Sequence, residues 1–313
     1  MPKIQYLNFV LILFFFNACT TKPEVIEEEI DKVEAERLLG QLLFHERRLS
    51  KDNTVSCAAC HLPYLAFTDG VPKSVGVEGR IAFRNSPTLF NLKDQDLFMF
   101  DGVIKTLEIQ ALSPIQDHNE MASSIEEILG KLKNDKVFKN QAHKAYGRDL
   151  DAKAITQSLA AFQRTLISTS SRYDLYLKDK NNYPLNETEL EGLTLFKEKF
   201  NCISCHSEPH FTNAKPESNG IQLTKDDWGR YRATGKEEDK GKFKVPSLRN
   251  IDITHPYMHD GRFTTLEEVL QFYADKKESH GAELVKSYSI SKKEQQQIIA
   301  FLRTLTDTSL LSE

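Results

Sequence analysis

The sequence predicts a mainly α-helical chain built from two modules, and three observations support this prediction. Patterns typical of β-strands are scarce throughout. A six-residue pattern occurs twice, at residues 161–166 and again at residues 300–305. At 313 residues the chain is also long enough for two domains, each with its own core. We therefore expect two helical units in series, each ending in an amphipathic helix.

The first residues predict export. Lys3 precedes an apolar run over residues 9–16 that is too short to span a bilayer, as in signal peptides. Cys19 follows Ala18, and a cysteine after a small residue at the end of such a signal resembles the lipobox of bacterial lipoproteins. We expect residues 1–18 to be a lipoprotein signal peptide and Cys19 to carry a lipid anchor on the periplasmic side of a bacterial membrane. Ordinary cleavage or an uncleaved anchor are the alternatives.

The remaining chain divides at a polar, turn-like run. Residues 19–35 include an acidic stretch and are predicted to form a solvated tether. The run Asn181-Asn182-Tyr183-Pro184 separates a first module, residues 36–180, from a second, residues 181–313. Asn186 is a candidate N-cap for the first helix of the second module. The net charge of −4 gives no sign of nucleic-acid binding.

Four further cysteines form two close pairs instead of a scattered disulfide framework. Each pair continues into a histidine: Cys57-Ala-Ala-Cys60-His61, the first motif, and Cys202-Ile-Ser-Cys205-His206, the second motif. This spacing lets two thiols reach the two vinyl groups of one porphyrin while the adjacent imidazole ligates the iron. A four-cysteine zinc site or two thioredoxin-like pairs would not explain why a histidine follows each cysteine pair. The sequence therefore predicts two covalent heme c groups, wrapped by long loops.

Several further segments occur in a fixed order around these motifs. They are Arg48-Leu49-Ser50, Phe67-Thr68-Asp69-Gly70, Arg84-Asn85-Ser86-Pro87-Thr88, Phe100-Asp101-Gly102, Leu107-Glu108-Ile109-Gln110, Asn119-Glu120-Met121, Val245-Pro246-Ser247-Leu248-Arg249-Asn250 and Pro256-Tyr257-Met258-His259-Asp260-Gly261. With them the chain resembles the bacterial diheme cytochrome c peroxidase and MauG family. The resemblance covers essentially the whole mature chain and implies two cytochrome c-like domains, each around one heme.

The resemblance implies a division of labour between the hemes. The heme ligated by His61 is expected to react with hydrogen peroxide, and the heme ligated by His206 to relay electrons. Gln110 and Glu120 match the family's distal pair, where a carboxylate can move protons and an amide can orient peroxide or water. Without the family context, Glu120 would be taken for a surface carboxylate and Gln110 for a helix-face residue.

Calcium is a further expectation from the resemblance. Asn85 and the carbonyl oxygens of Thr254 and Pro256 match the ion site that the family holds between its domains, and oxygen ligands suit calcium. The alternative is that Asn85 only braces a loop. A homodimer is also expected on the resemblance alone.

The sequence departs from the family at two positions. Many members carry a histidine sixteen residues after the first proximal one, where it blocks the iron, whereas this chain has Val77. An aliphatic side chain cannot ligate iron, so we expect the first heme to be open at rest. Members also commonly carry a tryptophan between the hemes, where this chain has Phe100. Electron exchange through Phe100 is expected to rely on tunnelling or on another route.

The sixth ligand of the second heme is predicted to be Tyr273. The family takes this ligand from the residue fourteen positions after His259, with methionine in high-potential peroxidases and tyrosine in MauG-like members. The alternative is that Tyr273 is a core aromatic residue and that Met258 supplies the ligand.

The expected activity is reduction of hydrogen peroxide, with electrons from a small periplasmic cytochrome c or cupredoxin. One alternative is a MauG-like oxidase acting on an aromatic residue of a partner protein. The other is a diheme electron carrier without turnover, which would have no need of Gln110 and Glu120 over an open iron.

Overall fold

The structure, a computed structural model, describes residues 23–275 and 288–310. The predicted signal peptide and Cys19 lie outside these residues. The described helices, numbered α1 to α12 in chain order, are Pro23–His45, Cys57–Cys60, Leu107–Gln110, Leu112–Gln116, Ile125–Leu132, Lys136–Tyr146, Ala152–Arg164, Arg172–Lys178, Glu187–Thr194, Tyr231–Thr234, Leu266–Ala274 and Lys292–Arg303. Two three-residue strands, β1 Pro216–Ser218 and β2 Lys242–Lys244, pair antiparallel. The prediction of a mainly helical chain is confirmed.

Helix α1 begins inside the segment predicted to be a tether. From Pro23 onward the chain is helical up to His45. Ala35, Leu39 and Leu43 form a buried stripe on this helix, because they recur every four residues and meet the core. The helix thus begins further toward the N-terminus than the charge pattern suggested, and its buried stripe lies in the C-terminal half.

Two helix pairs repeat one close contact. A Cβ atom added to Gly40 of α1 would lie 1.9 Å from the carbonyl oxygen of Ser158 in α7, and one added to Gly192 of α9 would lie 1.9 Å from that of Gln297 in α12. The second helix of each pair carries one copy of the repeated pattern. Only glycine allows these backbones to approach so closely, so both crossings depend on it.

The buried apolar residues form two main clusters. The first extends from Leu39 to Leu166 and surrounds the first motif, and the second extends from Tyr173 to Leu305 and surrounds the second motif. Tyr173 packs at 5.6 Å from the ring of Phe211, so α8 joins the second cluster although it precedes the predicted module boundary. A capping box between Asn186 and Glu189 begins α9, which confirms the predicted cap.

Candidate active site

The two proximal histidines are held by the same contact. The Nδ1 atom of His61 lies 2.8 Å from the carbonyl oxygen of Phe67, and Nδ1 of His206 lies 3.0 Å from that of Phe211. A carbonyl can only accept, so each Nδ1 carries a proton. Burial lowers the pKa of both imidazoles. Both rings are therefore neutral and have Nε2 available for a metal.

Left-handed turns aim these carbonyls at the rings. Phe67 has φ of +58° and Phe211 has φ of +52°, which reverses the chain directly after each motif. Sequence reasoning did not identify the carbonyl acceptors, since they belong to the backbone. The repeated Phe-Thr dipeptide, Phe67-Thr68 and Phe211-Thr212, was the signal that could have indicated them.

The cysteines of both motifs fit thioether attachment. Cys57 and Cys60 lie on one helical turn, and the His61 N–H donates to the Cys57 carbonyl at 3.1 Å. The His206 N–H donates to the Cys202 carbonyl in the same way, at 2.9 Å. All four thiols are half-buried and form no disulfide. Nowhere in residues 23–275 and 288–310 do three or more His, Cys, Asp or Glu residues gather as a metal cluster, so the two pairs do not come together as a zinc site.

An unpaired amide oxygen and a lysine without a carboxylate partner also suit a bound heme. The buried Oε1 atom of Gln110 accepts no hydrogen bond. Lys244 donates to Oε1 of Gln95 at 2.8 Å, and within the described part of the chain it forms no ion pair with a carboxylate. Burial lowers the pKa of Lys244 to about 8. A heme propionate would supply the missing negative charge, because buried cations require a partner.

Glu120 is a carboxyl whose proton affinity is strongly altered. Burial, with a smaller contribution from the charge of Asp117, raises the pKa of Glu120 to about 7. Glu120 in turn raises the pKa of Cys57 and Cys60, although less than burial does, so it lies close to the first motif. The Glu120 carboxyl is thus near enough to the first motif to interact electrostatically with both of its thiols.

Val77 packs against the segment that carries Glu120. Its side chain is fully buried, and its N–H donates to the Glu120 carbonyl at 2.9 Å. A Cβ atom on the preceding Gly76 would lie 2.0 Å from the carbonyl oxygen of Asn119 and 2.6 Å from that of Glu120. The Val77 loop is therefore fixed to the backbone of Glu120, a contact that sequence reasoning did not anticipate.

Gln110 lies at the C-terminal end of α3, which Thr106 caps. Its Nε2 atom lies 3.9 Å from the sulfur of Met99, a weak acceptor, so its orientation is held by a soft contact. Among the described residues no hydrogen bond joins Gln110 to Glu120. The amide oxygen is thus left available for a ligand.

The second motif has two tyrosines beside it. Burial raises the pKa of Tyr273 in α11, and the thiols of Cys202 and Cys205 raise it further. The side chain of Asn219 acts in the opposite direction and lowers this pKa. Burial likewise raises the pKa of Tyr288, with Cys202 and Tyr273 contributing. The predicted ligand Tyr273 thus lies near both attachment cysteines, and Tyr288 is a neighbour that sequence reasoning missed.

Phe100 lies where the two modules meet. Its carbonyl accepts from the Lys244 N–H at 2.7 Å, and the Arg84 guanidinium lies 5.9 Å from its ring centroid. Arg84 also donates to both carboxylate oxygens of Asp227, at 2.8 and 2.7 Å, which ties the Phe100 region to the second module.

The predicted calcium ligands come from both modules. The Asn85 N–H donates to the His259 carbonyl at 2.9 Å, and Nδ2 of Asn85 donates to the Val71 carbonyl at 2.9 Å, which leaves Oδ1 available. The carbonyl oxygens of Thr254 and Pro256 accept no hydrogen bond from any described residue. Each of these three oxygens is thus left without a hydrogen-bond donor among the described residues.

Comparison with known proteins identifies the family. The family described as di-haem cytochrome c peroxidase matches residues 34–182. The cytochrome c551 peroxidase of Nitrosomonas europaea is 34% identical over 86% of this chain and 79% of its own length. The chain belongs to the di-haem cytochrome c peroxidase family.

The enzyme is therefore an oxidoreductase, and its family carries two hemes. The methylamine utilization protein MauG of Methylorubrum extorquens is also 34% identical, over 85% of this chain and 77% of its own. A solved MauG-like protein associated with microbial copper homeostasis superimposes with a TM-score of 0.81 at 30% identity, covering 90% of this chain and 91% of that one. The fold of the diheme peroxidase BthA from Burkholderia thailandensis agrees, with a TM-score of 0.77 over 88% of this chain and 87% of BthA, at 22% identity.

Proposed function

We propose that the enzyme reduces hydrogen peroxide to water at a heme held by the first motif. The two electrons arrive singly from a small cytochrome c or cupredoxin, through a second heme held by the second motif, and two protons complete the two water molecules. When bound, the first heme supplies the iron that takes up peroxide. The observation that carries this proposal is the carboxyl of Glu120, which lies beside that motif with a pKa of about 7.

Glu120 acts as the proton-transfer group. A carboxyl with a pKa near neutrality is present in both forms at pH 7, so it can accept the proton of one peroxide oxygen and return it to the other. The unpaired Oε1 of Gln110 accepts a hydrogen bond from peroxide or water and orients it. Val77 offers no ligand, so the site is open to peroxide without prior reduction.

Tyr273 is proposed as the sixth ligand of the second heme. Its proximity to Cys202 and Cys205 supports this role. A phenolate is a hard anionic donor that stabilises ferric iron, so the relay heme would have a low potential. Met258 is the competing ligand.

We also propose the other features that the sequence predicts. The domain division at residues 180 and 181, a lipid anchor at Cys19, a periplasmic location and a homodimer rest on the sequence. Within residues 23–275 and 288–310, no helix has the length and apolar character needed to cross a bilayer. Calcium at Asn85, Thr254 and Pro256 is supported by their three available oxygens.

A second candidate function is oxidation of an aromatic residue in a partner protein. Tyr273 favours this second function, because a relay heme with a phenolate ligand has a low potential and stores oxidising equivalents better than electrons. Phe100 weighs against it, because phenylalanine is not easily oxidised to a radical. A simple electron carrier is disfavoured, since it has no use for the Glu120 carboxyl.

Turnover measurements distinguish these functions. The holoenzyme is expected to consume peroxide at steady state with a reduced cytochrome c or cupredoxin, after mass spectrometry of the denatured protein has shown two covalent hemes. Glu120→Gln is expected to lower turnover by about 10²–10⁴-fold while both heme spectra persist. Glu126→Gln is the matched control, because it removes an exposed carboxylate on the nearby helix α5. Equal loss in both variants, or no peroxide consumption, would refute the proposal.

A further inference from the structure

One side chain contacts both residues that compete to ligate the second heme. Nδ2 of Asn219 lies 3.6 Å from the sulfur of Met258. The same side chain is near enough to the Tyr273 hydroxyl to lower the pKa of that phenol. Asn219 follows strand β1 directly. Met258 lies 39 residues further along the chain, and Tyr273 lies in helix α11. Neither contact can be read from a motif.

The orientation of the Asn219 amide is determined by the backbone. Its Oδ1 atom accepts from the Ile221 N–H at 3.0 Å. An N–H can only donate, so Oδ1 must face Ile221 and the two hydrogens of Nδ2 must face away from it. Asn219 therefore presents donors to Met258 and Tyr273.

These donors affect the two competing ligands in opposite ways. A thioether sulfur is a weak acceptor, and a lone pair engaged with an N–H is less available to iron. A phenolate oxygen can accept a hydrogen bond and still bind iron, and hydrogen bonds to an ionised acceptor are about twice as strong as neutral ones. The same amide thus disfavours Met258 and favours Tyr273 as an anionic ligand.

We propose that Asn219 is a positioning residue that selects Tyr273 over Met258 as the sixth ligand of the second heme. This inference rests on the proposed placement of a heme at the second motif. Through that choice Asn219 sets whether the relay heme has the low potential of phenolate ligation or the higher potential of thioether ligation.

Asn219→Asp tests the proposal with little change in shape. The carboxylate keeps the acceptor for the Ile221 N–H, but it loses both donors and repels a phenolate. Asn213→Asp is the matched control: Oδ1 of Asn213 accepts from the Lys215 N–H at 2.9 Å in the same manner, and this residue has no side-chain contact with either competing ligand within the described residues.

The readouts are the ferric spin-resonance spectrum and the midpoint potential of each heme in the holoenzyme. Asn219→Asp is expected to replace the low-spin signal of the second heme and raise its potential, whereas Asn213→Asp and Met258→Leu leave both unchanged. Combining Asn219→Asp with Met258→Leu is expected to remove the new low-spin signal, since neither ligand is then available.

Two results would overturn the selection role. If Asn219→Asp retains the wild-type spectrum and potential while Tyr273→Phe alters them, Asn219 is only a turn residue. If Tyr273→Phe is also silent, the ligand assignment itself is wrong and the selection role falls with it. If peroxide turnover at the first heme is retained alongside either result, the selection role fails while the proposed activity stands.

Discussion

At the scale of single residues, the raised pKa of Glu120 predicts how peroxide reduction depends on pH. Only the carboxylate can accept a proton from peroxide, so kcat/KM for peroxide should fall as the pH drops below about 7, where Glu120 becomes protonated. Stopped-flow measurement between about pH 5 and pH 9 would show this acidic limb. Glu120→Gln should lack the limb and Glu126→Gln should retain it; an unchanged limb in Glu120→Gln would assign it to another group.

Residues within contiguous motifs could be predicted from the sequence, and residues that reach the site from elsewhere could not. The spacing of Cys57, Cys60 and His61 encodes a single helical turn, which the structure contains. Asn219 follows strand β1 and Tyr288 lies beyond helix α11, and no periodicity relates either residue to the second motif. Their positions follow from tertiary packing, which local patterns do not determine.

At the scale of elements, the loop from Ser74 to Ala82 positions the Glu120 backbone. An antiparallel bridge between Val75 and Ile81 closes this loop, and Gly76 lies against the Glu120 segment without room for a side chain. The repeated pattern predicted α7 and α12, but this loop has no periodic pattern. The sequence drew attention to it only because Val77 stands where many family members have a histidine.

Gly76→Ala is expected to displace the Glu120 segment. The added methyl group cannot fit 2.0 Å from a carbonyl oxygen, so the backbone must shift, and misplacement by about 1 Å costs roughly 10²-fold in rate. Peroxide turnover and thermal stability should both fall. Gly130→Ala in helix α5 is the control, because no atom lies within 4 Å of the added Cβ and alanine favours helix there. Full turnover in Gly76→Ala would show that the loop does not position Glu120.

The same loop predicts the resting state of the first heme. Val77 supplies no ligand, and its backbone is already hydrogen-bonded to Glu120. The ferric protein should therefore show a high-spin heme and should react with peroxide before any reductant is added. Optical and spin-resonance spectra of the oxidised protein test this. An entirely low-spin, unreactive resting enzyme would mean that another residue blocks the iron.

At the scale of the whole molecule, Arg84 and Asp227 connect the regions around the two motifs. Their side chains are only 11% and 6% exposed. Burial alone would raise the pKa of Asp227, but Arg84 outweighs it and the pKa lies below its usual value. A depressed carboxyl pKa adds stability above the unfolded-state pKa, and this stability is lost as the pH falls through the folded-state pKa. The ion pair between Arg84 and Asp227 therefore contributes its full stabilisation at neutral pH.

Arg84→Met is expected to destabilise the holoenzyme by about 3–5 kcal/mol, because it leaves a buried carboxylate without its partner. Denaturant unfolding at neutral pH measures this. Arg148→Met is the control: its ion pair with Asp151 is 44% and 45% exposed, and such pairs contribute about 1 kcal/mol or less. Equal effects of the two substitutions would mean that the Arg84 pair does not hold the regions together.

The glycine crossings bear on the history of the chain. Phe162 lies against Gly40 just as Phe301 lies against Gly192, and both phenylalanines occupy the same place in the repeated pattern. This is the arrangement that duplication and fusion of one ancestral helical unit would leave. The surroundings proposed for the two hemes differ, with a carboxyl near the first motif and tyrosines near the second. The helix crossing is the same in both, so the two modules combine different proposed heme surroundings with one shared backbone contact.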